Sequence, residues 1–231
     1  MEKKYKSLII LFAVITVVSV AGFYKSYWSH FPDFAQFPKV IHIHFAAFIC
    51  WFALVIVQPV LIMQKKHALH RKLGRISYFL APLLVITIVL LAKEKLLREI
   101  AVSAEDAATG AFISFLDFTS FTVYYLIAVL NKNNIRWHVA FIIGATLVAF
   151  NPGLARLINL FNPELGLAVV IVPFIVPGTI IIIEKIKFKR PVLRSPYFFF
   201  LLFWILEIVL IVAIPQTTFW QNAIVKIAGM L

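Results

Sequence analysis

Seven long, mostly apolar runs set apart by charged residues constrain this chain more than any motif in it: Ser7 to Tyr24, Val40 to Gln64, Ile76 to Ala92, Thr109 to Leu130, Trp137 to Ala155, Leu165 to Ile183 and Tyr197 to Ile214. An α-helix rises about 1.5 Å per residue, so about 17 to 25 residues cross the ~30 Å hydrocarbon core of a bilayer. No water is present there to satisfy a backbone N–H or C=O, and a helix satisfies all of them within one segment. The expected fold is therefore all-α, a bundle of seven transmembrane helices. The connections leave no stretch for a separate soluble domain, so residues 1–231 are expected to form a single transmembrane helical domain.

Composition excludes the soluble alternative. With 62% hydrophobic and 14% charged residues, against about 25% charged in ordinary soluble domains, the chain has more apolar surface than a water-soluble core could hide. A net charge of +12 would suggest nucleic acid in a soluble protein. Here the cations lie between apolar runs, so no nucleic-acid partner is expected. Loops rich in Lys and Arg stay cytoplasmic, and an inside N-terminus puts 15 of the 22 on that face, among them Lys65, Lys66, Arg71, Lys72, Arg75 and the Lys185 to Arg194 group. The other face then collects Asp33, Glu94, Glu99, Glu105, Asp106 and Glu164. The expected location is a bacterial inner membrane, N-terminus inside and C-terminus outside.

The first run also reads as a signal peptide, with Lys3 to Lys6 as its basic region and Ser19, Val20, Ala21 as a cleavage site. Its uncharged stretch exceeds the about 7 to 15 residues of a signal core, which favours a retained helix. The lone cysteine, Cys50, excludes an intramolecular disulfide and any CxxC motif. In the sixth run Pro173, Pro177 and Gly178 predict a kink or an unwound turn unless neighbours satisfy the freed carbonyls.

Ionisable residues inside a membrane span are costly and face the bundle interior, which makes each a functional candidate. Asp117, Arg156 and Glu207 are such residues, and His44 lies just inside the second run. Residues three or four apart share a helical face. Gly110, Ser114, Asp117, Ser120 and Tyr124 therefore form one polar stripe, and His44, Phe48, Trp51 and Gln58 another, with His42 on the opposite side. On the fifth run His138 and Arg156 are five turns apart, with the small residues Ala145 and Ala149 between them. The expectation is a periplasm-facing polar site of His44, Asp117, Arg156 and Glu207, with Tyr124 and Gln58 in its wall, binding or transporting a small ligand, a cation or a proton. Asp117 and Glu207 would exchange protons or bind the cation, Arg156 would hold an anionic moiety, and His44 would gate. Two alternatives stand beside it: an internal Asp117 to Arg156 ion pair with no further role, and a divalent metal held by His44 and the two carboxylates, as in a metal-dependent membrane enzyme.

A second group of residues lies at the inner face. The segment QKKHALHRKLGR and the triplet Arg136, Trp137, His138 bring His67, His70 and His138 to one side of the membrane among several cations. His70 and His138 begin parallel helices, and two facing imidazoles could ligate a single heme b in an electron-transfer protein. The same cations equally suit anionic lipid at the cytoplasmic face.

The succession HIHFAAFICWFALVIVQPVLI, HALHRKLGRISYFLAPLLV and RWHVAFIIGATLVAFNPGLARL is similar to a family of bacterial predicted membrane proteins of unknown function. The similarity covers His42 to Leu160 and rests on the histidine opening the second run, the His70, Arg71, Leu73, Gly74 block, the Arg136 and His138 pair, and the Pro152 to Arg156 ending. It implies a common fold and a common ligand but no established activity, and Glu207 lies outside it. The heme reading more weakly resembles the cytochrome b and ferric reductase superfamily. Members of that superfamily carry histidine pairs about four turns apart on one helix, and no run here has such a pair. Rhodopsin-like and adiponectin-receptor-like chemistry lacks its lysine or histidines on the seventh run, and no GxSxG serine elbow is present.

Overall fold

The computed structural model describes residues 2–162, 164–165 and 168–231. Among them the chain is all-helical and has no strand. The helices are α1 (Glu2–Gly22), α2 (Lys39–Met63), α3 (His67–Gly74), α4 (Ser77–Glu99), α5 (Ala104–Leu130), α6 (Ile135–Phe161), α7 (Ala168–Phe188), α8 (Pro196–Ala213) and α9 (Thr218–Ala228). Seven segments, with α3 and α4 counted together, are long and apolar enough to cross a membrane. The chain thus has the build of a multi-pass membrane protein.

Each apolar run lies within one of these helices or reaches a few residues past its end. α6 continues through Pro152 to Phe161, past the expected end at Ala155. α7 runs unbroken through Pro173 and Pro177. Both prolines are fully buried and stand four residues apart on one face of the helix. Two of the nine α-helices among the described residues are too short to cross by themselves. α3 takes up the basic inner segment, and α9 carries Trp220 and Ile224 on one side.

The described chain falls into two compact units. Unit 1 comprises residues 1–87 and 146–169, hence α1, α2, α3, the first part of α4 and the second part of α6. In it α1 packs on α2, and α2 on α3. α1 also meets α6 closely: a Cβ on Gly22 would collide with the Gly153 carbonyl, and one on Gly153 would stand 2.7 Å from the Ser19 Cα. Backbones approach this closely because Gly22 and Gly153 carry no side chain. The segment between α1 and α2 is ordered by aromatic packing, with Tyr27 stacked between Phe34 and Phe45 at centroid distances of 5.0 and 4.5 Å.

Unit 2 comprises residues 88–145 and 170–231, in which α5 packs against α8 and α9. α9 lies over the first turns of α5. The Trp220 indole donates to the Ala108 carbonyl at 2.8 Å, and Ile224 joins Leu96 and Ala107 in a buried apolar cluster. α6 supplies residues to both units and is the most enclosed span, 61% buried against 22 to 33% for the others. Its middle, from Ile143 to Phe150, is buried on every side, as a helix apolar all round should be.

Candidate functional site

Asp117 occupies the midpoint of the 27-residue α5. The polar stripe read from the sequence is the packed face of that helix, with Gly110, Ser120 and Tyr124 buried and Ser114 and Asp117 half-buried. From α8, Glu207 reaches this face. Its Oε1 accepts the Ser120 hydroxyl at 2.6 Å and the Tyr124 hydroxyl at 2.7 Å. Both donors sit within two turns of Asp117, and Asp117 and Glu207 lie within electrostatic reach of each other. Among the described residues Asp117 makes no hydrogen bond or ion pair, and Lys95 of α4 lies within electrostatic reach of it.

Lys95 pairs with Glu99 at 3.7 Å, and this pair leans over α5 at Gly110, where an added Cβ would lie 2.6 Å from Glu99 Oε2 and 3.1 Å from Lys95 Nζ. Glycine is what lets the charged pair come this close. Ser114 lies one turn further along, its hydroxyl donating to the Gly110 carbonyl at 2.9 Å, which leaves its oxygen free to accept. Polar groups therefore follow one another along α5 from the Lys95 and Glu99 pair, past Ser114, to Asp117 and Glu207.

His44 and Arg156 belong to unit 1 and have their own surroundings there. His44 Nδ1 meets Thr87 Oγ1 at 2.8 Å. Thr87 Oγ1 also lies 2.9 Å from the carbonyls of Leu83 and of Leu84, so it ties His44 to the α4 backbone. His42, on the other side of α2 as expected, faces the Tyr27 hydroxyl at 2.7 Å. Burial pushes the Tyr27 hydroxyl above its ordinary range. The Arg156 guanidinium lies 4.5 Å from the Phe23 ring centre, donates to the Pro152 carbonyl at 2.9 Å, and is within electrostatic reach of His44.

Gln58 lies ~21 Å further along α2 than His44 and is taken up by α3. In the amide orientation that satisfies both ends, its nitrogen donates to His70 Nδ1 and to the His70 carbonyl, and its oxygen accepts from the Gly74 N–H at 3.1 Å. It therefore works as a clamp between α2 and α3. His70 is thus held within unit 1, and His138 within unit 2, where its Nδ1 meets the Ala128 carbonyl at 2.8 Å. Among the described residues no group of three or more His, Cys, Asp or Glu stands close enough to hold a metal ion.

A polar cluster that the sequence did not single out lies at the other end of unit 2. Glu184 is 8% exposed, on a buried face of α7 that runs Pro173, Pro177, Ile181, Glu184. Its carboxylate accepts two bonds of 2.8 Å and one of 3.1 Å from Arg136, one of 3.0 Å from Arg190 and one of 2.8 Å from Ser195. Every lone pair of this carboxylate has a donor, and two guanidiniums balance its charge. The repeat of buried positions starting at the prolines is the signal that could have found it.

Comparisons with protein-family models, with curated proteins and with solved structures find no match.

Proposed function

We propose that this is a bacterial inner-membrane protein, N-terminus cytoplasmic and C-terminus outside, that binds and passes a proton or a small monovalent cation at the Asp117 and Glu207 carboxylates. The observation that carries this reading is two acids within electrostatic reach of each other, Asp117 halfway along α5 and Glu207 on α8, where among the described residues the only hydrogen bonds to the Glu207 side chain come from hydroxyls and Asp117 has no partner. Two carboxylates without a guanidinium are costly in a bilayer, and one proton or cation shared between them relieves the repulsion. Ser114 and the Lys95 and Glu99 pair continue the polar face toward the outer end of α5. Glu207 is the anchored member, fixed by Ser120 and Tyr124, and Asp117 is the member free to give up or take the ion. The cationic inner segment around α3 is read as a seat for anionic lipid.

The test is purified protein in liposomes loaded with a pH-sensitive dye, under an imposed proton or sodium gradient. Wild type is expected to dissipate one of these gradients, and Asp117→Asn to slow it at least tenfold while the protein stays monodisperse. A rate equal to that of empty liposomes, or an Asp117→Asn rate equal to wild type, overturns the reading. The orientation has its own check. A cysteine placed at Ser103, in the segment between α4 and α5, is expected to react with an impermeant maleimide added outside intact cells, and labelling only after lysis reverses the topology.

A further inference from the structure

Unit 1 contains a cleft of about 410 Å³ where α1 and α6 end, lined by Gly22, Lys25, Ser26, Arg156, Asn159 and Leu160. Its origin is the glycine contact below it. α1 stops at Gly22, where it is pressed onto Gly153, while α6 runs on to Phe161. One wall is therefore the last two turns of α6, and the other is the turn that leads the chain away from α1.

Two cations face this cleft and no carboxylate lines it. Arg156 is oriented from behind, by the Phe23 ring and by one bond to the Pro152 carbonyl. A guanidinium carries more N–H donors than that one bond uses, and its planar fork matches the oxygens of a phosphate. Lys25 adds a compact positive charge, Ser26 a hydroxyl and Asn159 an amide. None of these last three side chains is hydrogen-bonded to the protein among the described residues.

The location narrows the ligand. The cleft stands at the end of two membrane-spanning helices, the depth at which lipid phosphates lie. Leu160, 47% exposed, and Phe161, 81% exposed, continue its rim with apolar surface. The volume falls within the about 300 to 1,000 Å³ of small-molecule sites and has room for more than one phosphate group. We propose that this cleft binds a phosphate group through Arg156 and Lys25, supplied by a lipid headgroup or by phosphate free in solution. The site is separate from the carboxylate pair, and neither depends on the other.

The experiment is calorimetric titration of the full chain in mild detergent with short-chain phosphatidylglycerol below its micellar concentration, and separately with inorganic phosphate. Saturable binding of the lipid alone assigns the site to a headgroup, of inorganic phosphate alone to the soluble ion, and of both to the phosphate group itself. Each supports the proposal if the Lys25→Gln, Arg156→Lys double variant binds about tenfold more weakly or worse, as loss of charge-assisted bonds implies. If that variant is not monodisperse, Lys25→Gln alone decides, because Lys25 is exposed and its loss leaves the α1 and α6 contact untouched. No saturable binding of either anion to wild type, or undiminished binding in the deciding variant, overturns the proposal.

Discussion

Glu184 and Glu207 stand in the same unit, each withdrawn from the surface of a span, and each is treated differently by its neighbours. Glu184 meets two guanidiniums and a hydroxyl, with Arg136 bound to both of its oxygens. Among the described residues the Glu207 carboxylate meets only hydroxyls, and it lies within electrostatic reach of a second acid. A buried charge matched by fixed counter-charges holds helices in register and has nothing left to bind. A carboxylate held by hydroxyls keeps its orientation and leaves its charge unanswered, which is the condition for taking up an ion.

The largest effect that separates the two is expected from Arg136→Ala, which leaves Glu184 with half of its compensation. The Arg136 and Arg190 side chains are 37% and 40% exposed, so the loss should fall at the lower end of the about 3 to 5 kcal/mol for breaking a buried pair. Thermal unfolding in detergent measures it, and a loss below ~1 kcal/mol would remove the distinction. A smaller effect sharpens the comparison from the other side. Glu207→Gln keeps a carbonyl oxygen for Ser120 and Tyr124 and removes the repulsion with Asp117, so stability should change by less than ~1 kcal/mol. A loss as large as that of Arg136→Ala would make Glu207 a second structural anchor.

The spans were legible because a bilayer admits one solution for an apolar run of that length. The packed face of α5 was legible because its polar residues recur at helical spacing, which brought Asp117, Ser120 and Tyr124 out together. Glu184 was not, because it follows an apolar run directly and precedes Lys185 and Lys187, so it reads as the start of a charged loop. Arg136 counted only as a topological charge, and its role depends on α7 ending beside the start of α6. Gln58 was placed on the stripe it shares with His44, but spacing along one helix cannot show that α3 folds back to occupy it. The amphipathic α9 is 11 residues long, too short to register as a span, and its indole bond to Ala108 joins positions far apart in the chain.

The division into units also bears on how the protein is made. Unit 1 needs residues 146–169, and unit 2 begins at residue 88, so no single cut of the polypeptide yields both units whole. During synthesis the first three helices leave the ribosome long before the part of α6 that carries Gly153, and they must wait in the membrane for their last partner. Glu207 and the α9 tryptophan arrive later still, so the Asp117 and Glu207 pair is assembled only after α8 has been made. A nascent chain stalled midway would hold Asp117 without its companion.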